Sequence, residues 1–342
     1  MFEAFFSWYN GLTDSLVGSL ALFAVGLVLL IKGGDWFVDS ATGIAKRFRV
    51  PEIIIGATVV SIGTTLPEVM VSATAAANGN GAIAYGNAIG SIICNTALIS
   101  ALTIAIRPAP VNRNAITMPV LFFFVSAAIY VVAAYLFGTF DRWLGIVMLL
   151  VFALYMTVTI RNGFKNPVKA EEHEEEEAVE GSLLKDVVVL IVSAALIAVG
   201  ADMLEGSSVS LATMAGIPTE VVGVTIVALC TSLPELVTAI TALAKGHGAL
   251  SLGNIIGANI FNLVLVSGVA VTLSPFAVPE GSTIFGQNTS LVMEIPVMVG
   301  VMALMTLPAL FRGKLFRWQG VVLLGIYAAF VILQVMIALH MI

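Results

Sequence analysis

The chain says one thing twice, without a gap. Gly56-Ala-Thr-Val-Val-Ser-Ile-Gly-Thr-Thr-Leu-Pro-Glu68, followed by Gly86-Asn-Ala-Ile-Gly-Ser-Ile-Ile-Cys-Asn95, is echoed by Gly223-Val-Thr-Ile-Val-Ala-Leu-Cys-Thr-Ser-Leu-Pro-Glu235 and Gly253-Asn-Ile-Ile-Gly-Ala-Asn-Ile-Phe-Asn262. Asp35/Asp202, Thr58/Thr225, Pro67/Pro234, Glu68/Glu235, Gly90/Gly257 and Asn95/Asn262 are each 167 residues apart. Both copies set a carboxylate and a proline inside apolar sequence. An ionisable group there is costly and marks function. Internal repeats with interrupted helices at matching positions are the mark of a transporter whose site lies between two halves.

With 59% hydrophobic and only 11% charged residues, an ordinary soluble domain is excluded, because such domains carry about 25% charged residues. A membrane span needs roughly 20 mainly apolar residues. Ten such spans are expected, beginning near Ser15, Ile53, Ile83, Ala115, Trp143, Leu183, Glu220, Ala249, Ser290 and Trp318. The start, Met1-Phe-Glu-Ala-Phe-Phe-Ser-Trp8, has no basic n-region, so no cleavable signal peptide is expected. Cys94 and Cys230 both fall inside spans and do not form a disulfide framework.

Lys and Arg gather on the cytoplasmic side of membrane proteins. With ten spans and the N-terminus outside, thirteen basic residues fall inside: Lys46, Arg47, Arg49, Arg107, Arg113, Arg161, Lys165, Lys169, Lys185, Lys245, Arg312, Lys314 and Arg317. Only Arg142 falls outside, and Lys32 sits in the first span. Both termini are then extracytoplasmic. The chain divides into a five-span half at 1–163, an acidic cytoplasmic linker at 164–181, and a second five-span half at 182–342. Five is odd, so the second half enters the membrane inverted, giving two related access routes to one central site. The linker run Lys169-Ala-Glu-Glu-His-Glu-Glu-Glu-Glu-Ala-Val-Glu180 is a like-charge block that reads as solvated and poorly ordered.

Pro67 and Pro234 cannot donate a backbone hydrogen bond, which leaves the carbonyls of Gly63 and Cys230 without their helical partners. Freed carbonyls at membrane depth are tolerated where they line a cavity or bind a cation. Glu68 and Glu235 follow these prolines directly, and the hydroxyls of Thr64, Thr65, Thr231 and Ser232 crowd the same turns. The product is an oxygen-only cluster with two formal negative charges. Such a set suits calcium, which takes six to eight oxygens, better than magnesium, and lacks the imidazole or thiolate that transition metals favour. His173, His247 and His340 lie in loops or at the chain end and read as surface residues. Gly86/Gly90 and Gly253/Gly257 have the spacing of closely packed helices. Asn95 and Asn262 lie deep in their spans, where an amide must find a partner. They read as interhelical glue, cation ligands, or groups orienting a glutamate, with Ser91 one turn before Asn95. Glu294 reads as interfacial, and Asp35 and Asp202 read as caps or loop ties.

These segments resemble the cation/calcium exchanger superfamily. Gly63-Thr-Thr-Leu-Pro-Glu68 and Cys230-Thr-Ser-Leu-Pro-Glu235 are close copies of its first motif, and Gly86–Asn95 and Gly253–Asn262 match its second. The ten-span plan is similar to that of prokaryotic sodium/calcium exchangers. The resemblance implies an all-α integral membrane protein of two inverted five-helix repeats in a prokaryotic plasma membrane. It implies a calcium site at Glu68, Glu235, Thr64 and Thr231. For sodium it implies Ser61, Thr65, Ser91, Asn95, Ser232 and the Ala228 carbonyl beside the shared glutamates. Many sodium-coupled members carry an aspartate at the position of Asn262 and a serine at that of Ala258. Proton-coupled members also lack that aspartate.

The expected activity is therefore secondary antiport of calcium against sodium by alternating access, with proton coupling as the alternative. The expected partners are calcium, a monovalent cation and the lipid bilayer, with no nucleic acid and no cofactor. A calcium channel would need a ring of acids around an open pore, whereas here one chain supplies a pseudo-twofold pair. An intramembrane enzyme would need a nucleophile or metal triad that the sequence lacks.

Overall fold

The computed structural model describes residues 15–108, 110–165, 182–216, 232–280, 283–284, 286–339 and 341. Among these residues ten helices follow in order: α1 (Leu16–Phe48), α2 (Glu52–Ala77), α3 (Gly81–Ile106), α4 (Arg113–Phe137), α5 (Arg142–Lys165), α6 (Leu183–Met214), α7 (Leu233–Ala244), α8 (Gly248–Leu273), α9 (Ser290–Arg312) and α10 (Arg317–Ala338). Among the described residues nine are long and apolar enough to span a bilayer, and α7 is shorter. The nine matching expected starts each fall within two residues of the observed ones. The seventh expected start, Glu220, lies outside the described residues.

Helix ends follow local chemistry. The Ser15 hydroxyl accepts the Gly18 N–H at 3.0 Å and caps α1. Arg49, at φ 53°, turns the chain out of that helix while its N–H bonds back to Ala45 and Lys46. At the start of α10 the Gln319 carboxamide reaches back to the Phe316 N–H at 2.8 Å.

Burial separates core helices from lipid-facing ones. In α8, 83% of the apolar window is buried, in α3 72% and in α2 61%, against 11% in α10. The helices bearing the repeated motifs thus form the centre. Outside them, α1 and α6 lie against each other along their length. A Cβ on Gly26 would come within 2.8 Å of the Gly200 carbonyl, and one on Gly33 within 2.9 Å of Ile197 Cγ1 and 3.2 Å of the Ser193 carbonyl. Gly33 and Gly200 are repeat counterparts, as are Gly26 and Ser193. The two crossings are therefore images of one another, which is the inverted repeat in packing form.

Loop contacts bring distant helix ends together. Strand β1 (Thr139–Phe140) pairs antiparallel with β2 (Phe276–Ala277), so α5 through α8 must return the chain to one side. Glu52 meets His247 at 2.8 Å and Arg47 meets Asp186 at 3.2 Å, and Pro110 bridges to Lys314. The first two of these pairings bring the chain ahead of α6 and the chain ahead of α8 to the same side as the turn between α1 and α2. Among the described residues α7 measures only about 18 Å at 1.5 Å per residue. A short hairpin, β3 (Thr283–Ile284) with β4 (Gln287–Asn288), precedes α9.

Candidate functional site

The centre is built on glycines. A Cβ on Gly56 would stand 2.3 Å from the Leu250 carbonyl, one on Gly253 2.2 Å from the Ile53 carbonyl, and one on Gly257 2.7 Å from Ala57 Cα. Helices α2 and α8 thus touch backbone to backbone, the close approach that small residues allow inside membranes. Where they touch, α2 opens into a π-helical turn at Gly56–Val60. Its spare carbonyls are taken up: Thr58 Oγ1 donates to Ile54 at 2.7 Å, Ser61 Oγ to Gly56 at 2.8 Å, and Tyr155 OH to Ala57 at 2.9 Å.

This corrects one expectation. The sequence places the disruption of the first motif at Gly63 and Pro67, yet the helix runs unbroken from Ser61 to Ala77 through Pro67. Loss of a single N–H is absorbed within the packed core, and the irregular turn falls where α8 presses closest. In the second repeat Pro234 occupies the first turn of α7, a position where its missing N–H costs nothing. Cys230, whose carbonyl was expected to be freed, lies outside the described residues.

Glu68 and Glu235 are both fully buried and lie within electrostatic reach of each other. Thr65 Oγ1 donates to Glu235 Oε1 at 3.4 Å, joining α2 of one repeat to α7 of the other. Both Glu68 oxygens and Glu235 Oε2 find no hydrogen-bond partner among the described residues. The same holds for Ser91 Oγ, Ser232 Oγ and both side-chain polar atoms of Asn95 and Asn262, all buried. An unsatisfied buried polar atom costs about 1–3 kcal/mol, so the motif helices that carry several of them are the candidate site. The ion pairs among the described residues, Arg47–Asp186, Lys245–Asp35, Lys245–Asp39 and His247–Glu52, involve neither glutamate.

Asn95 opens a π-helical turn at Asn95–Ser100, and Asn262 opens one at Asn262–Val266. Interhelical glue is supplied instead by Asn259, whose Nδ2 donates to Thr96 Oγ1 at 2.7 Å and approaches Met302 Sδ at 3.1 Å. Ser61 and Thr64 come together at Asn254, with their hydroxyls 3.2 Å and 3.3 Å from its Oδ1. Thr231 and Ala228 lie outside the described residues. Asp35 ties α1 to Lys245, as expected of a loop tie, and Glu294 accepts from Gln334 at 2.9 Å. Sequence reasoning missed Asn87 and Asn254, with their hydroxyl partners Ser72 and Thr238. The signal was present, since both asparagines follow the first glycine of the second motif at the 167-residue offset.

A family model for the sodium/calcium exchanger protein matches residues 18–161 and 185–336. The chain belongs to the sodium/calcium exchanger family. This family member is 33% identical to the sodium/calcium exchanger MaX1 of Methanosarcina acetivorans, over 91% of this chain and 97% of that one. It is 34% identical to an uncharacterized membrane protein of Methanocaldococcus jannaschii, over 91% and 96% of the two chains. Its fold matches the sodium-calcium exchanger NCX_Mj, soaked with sodium and strontium, with a TM-score of 0.77 at 32% identity, covering 92% of this chain and 98% of that one. The ten-helix, inverted-repeat membrane architecture expected from the sequence is therefore that of the family.

Proposed function

We propose that this family member exchanges calcium for sodium across a prokaryotic plasma membrane, binding both at the buried oxygen cluster between its repeats. The observation that carries this reading is the set of buried oxygens on the motif helices, unpartnered among the described residues, that accompany two carboxylates with no basic residue among them. Glu68, Glu235, Thr64 and Thr231 form the calcium site. Thr65, Ser61, Ser91, Asn95, Ser232, Asn262 and the Ala228 carbonyl supply oxygens for sodium. The five-span halves at 1–163 and 182–342 are joined by the cytoplasmic linker at 164–181, with both termini outside.

The mechanism follows from charge. Two empty carboxylates in a closed, dry site cost several kcal/mol each. One calcium ion cancels both charges, and sodium ions cancel them individually. The unloaded protein therefore does not readily pass through the closed state, and exchange becomes obligatory. Oxygen donors at calcium's preferred 2.3–2.6 Å need no water to remain, which suits a site sealed in mid-passage. Binding and release of hard cations is the role that this donor set supports best. The names of the relatives favour sodium over protons as counter-ion. Two neutral amides, Asn95 and Asn262, and the surrounding hydroxyls serve a hard monovalent cation without further charge.

The test is calcium uptake into proteoliposomes driven separately by a sodium gradient and by a pH gradient. Uptake should follow the sodium gradient. Uptake that follows pH and ignores sodium would overturn sodium coupling.

A further inference from the structure

Away from the glutamates, the ends of α3 and α7 and the start of α8 enclose a cavity of about 30 Å³. Ser100 and Thr103 of α3, Arg107 just beyond it, Leu243 of α7, and Gly248 and Ser251 of α8 line it, and among the described residues no carboxylate does. Ser100 and Thr103 direct their protons elsewhere, to Met305 Sδ and to the Ser100 carbonyl, each at 2.8 Å. Ser251 does not. It is 3% exposed, and its Oγ has no hydrogen-bond partner among the described residues. Arg107 enters none of the ion pairs among those residues. Beside it Arg317 donates to the Ile106 carbonyl at 3.3 Å, adding a second guanidinium. Helix α8 begins here without a side-chain cap, and the ring of His247 before it meets Glu52 instead, at 2.8 Å. The first N–H groups of a helix lack internal partners and carry a partial positive charge.

The other repeat fills the equivalent space with a ring. At the 167-residue offset Ala76, Gly81, Ala84 and Ala270 match Leu243, Gly248, Ser251 and Thr103. Phe276 packs on Ala76, Ala84 and Ala270, and a Cβ on Gly81 would come within 2.4 Å of it. The counterpart of Phe276 is Ala109, and that of Arg107 is Ser274. An apolar plug at one end of the bundle thus corresponds to a positively charged, donor-bearing hollow at the other. We propose that this hollow binds one small inorganic anion of chloride's size, held by the Arg107 guanidinium, the Ser251 hydroxyl and the first-turn N–H groups of α8. A helix N-terminus beside a cationic side chain is a ready anion site, and an anion gives the buried Ser251 proton the acceptor that it lacks. A water needs about 10–15 Å³ of such space, so the cavity takes a single small ion and is too small for a whole phosphate. The bound anion joins α3 to α8 at this end, as Phe276 joins them at the other. The proposal is independent of the cation site.

The experiment is thermal unfolding of the purified full chain in detergent without calcium, with sodium gluconate replaced stepwise by sodium chloride at constant sodium and ionic strength. Wild type, Arg107→Gln and Ser251→Ala are compared. Alanine is the residue that the other repeat carries at the Ser251 position, so this variant keeps a side chain that such packing accepts. Wild type should melt at a higher temperature as chloride rises, with a saturable half-point, since a ligand that binds the folded state alone stabilises it by mass action. Each variant loses a hydrogen bond to a charged partner and should raise that half-point by at least about tenfold. Inorganic phosphate at the same ionic strength should not substitute for chloride. A wild type indifferent to chloride, as expected of a cavity that holds water only, overturns the proposal. So do variants that melt lower in both salts yet keep the wild-type half-point, the signature of a purely structural role. Should Arg107→Gln fail to fold, Ser251→Ala decides alone.

Discussion

Substituting Gly257→Ala tests whether the contact of α2 with α8 sets the geometry of the site. The added methyl would stand 2.3 Å from Ser61 Oγ, 2.7 Å from Ala57 Cα and 2.8 Å from the Ala57 carbonyl. Ser61 can rotate, but the backbone of Ala57 cannot. Carbon atoms pack at roughly 3.5–4.0 Å, so the two helices must part by about 1 Å. Overpacking of this kind costs about 1–3 kcal/mol. The same displacement carries Ser61 and Thr64 away from Asn254, where the Thr64 bond is already 3.3 Å long. Thermal unfolding in detergent should show the variant melting several degrees lower, and calcium exchange in proteoliposomes should need roughly tenfold more calcium for half-saturation. Gly325→Ala, in exposed α10 with nothing within 4 Å of the added methyl, is the control and should match wild type or melt slightly higher. If both variants melt and transport alike, the backbone contact is not what holds the site.

Glu68→Gln and Glu235→Gln should each abolish calcium exchange while the protein still inserts and folds, because each leaves one negative charge for a divalent ion. Near-normal uptake by either variant would remove the assigned site. A cysteine introduced within 171–180 should resist an impermeant thiol reagent on sealed right-side-out cells, and one placed after residue 340 should react. The reverse pattern would overturn the orientation drawn from the basic residues.

The spans were legible because a run of about 20 apolar residues has few alternatives to a membrane helix. The glutamates stood out because a charge in such a run is costly, and the structure buries both completely. What the sequence did not show depends on contacts between distant segments. Pro67 is visible in the chain, but whether its helix breaks depends on what packs around it. The π-helical turn at Gly56–Val60 arises where α8 presses on α2, which no local pattern announces. Asn254 sits beside a glycine at the start of a buried helix and reads as packing. Thr238 carries still less signal: its repeat counterpart is Val71, so duplication does not mark it, and Ser72 does the corresponding work one position further along.

The ion pairs at Lys245 break the duplication. Its ammonium lies 2.8 Å from Asp39 and 3.5 Å from Asp35, closing α1 against the end of α7. One repeat away the matching residues are Asn78, Gly206 and Asp202, and Asn78 and Gly206 cannot form the equivalent pair. Identical halves would make the two access states equal in free energy, related by a two-fold rotation. Partly exposed pairs of this kind contribute at most about 1 kcal/mol each, and 1.4 kcal/mol is about tenfold in an equilibrium constant. Such pairs lift the two-sided degeneracy towards whichever access state makes them, by at most about fivefold for each. The tilt fades as salt screens the charges, which makes the resting occupancy of the two states a function of ionic strength as well as of the transported ions.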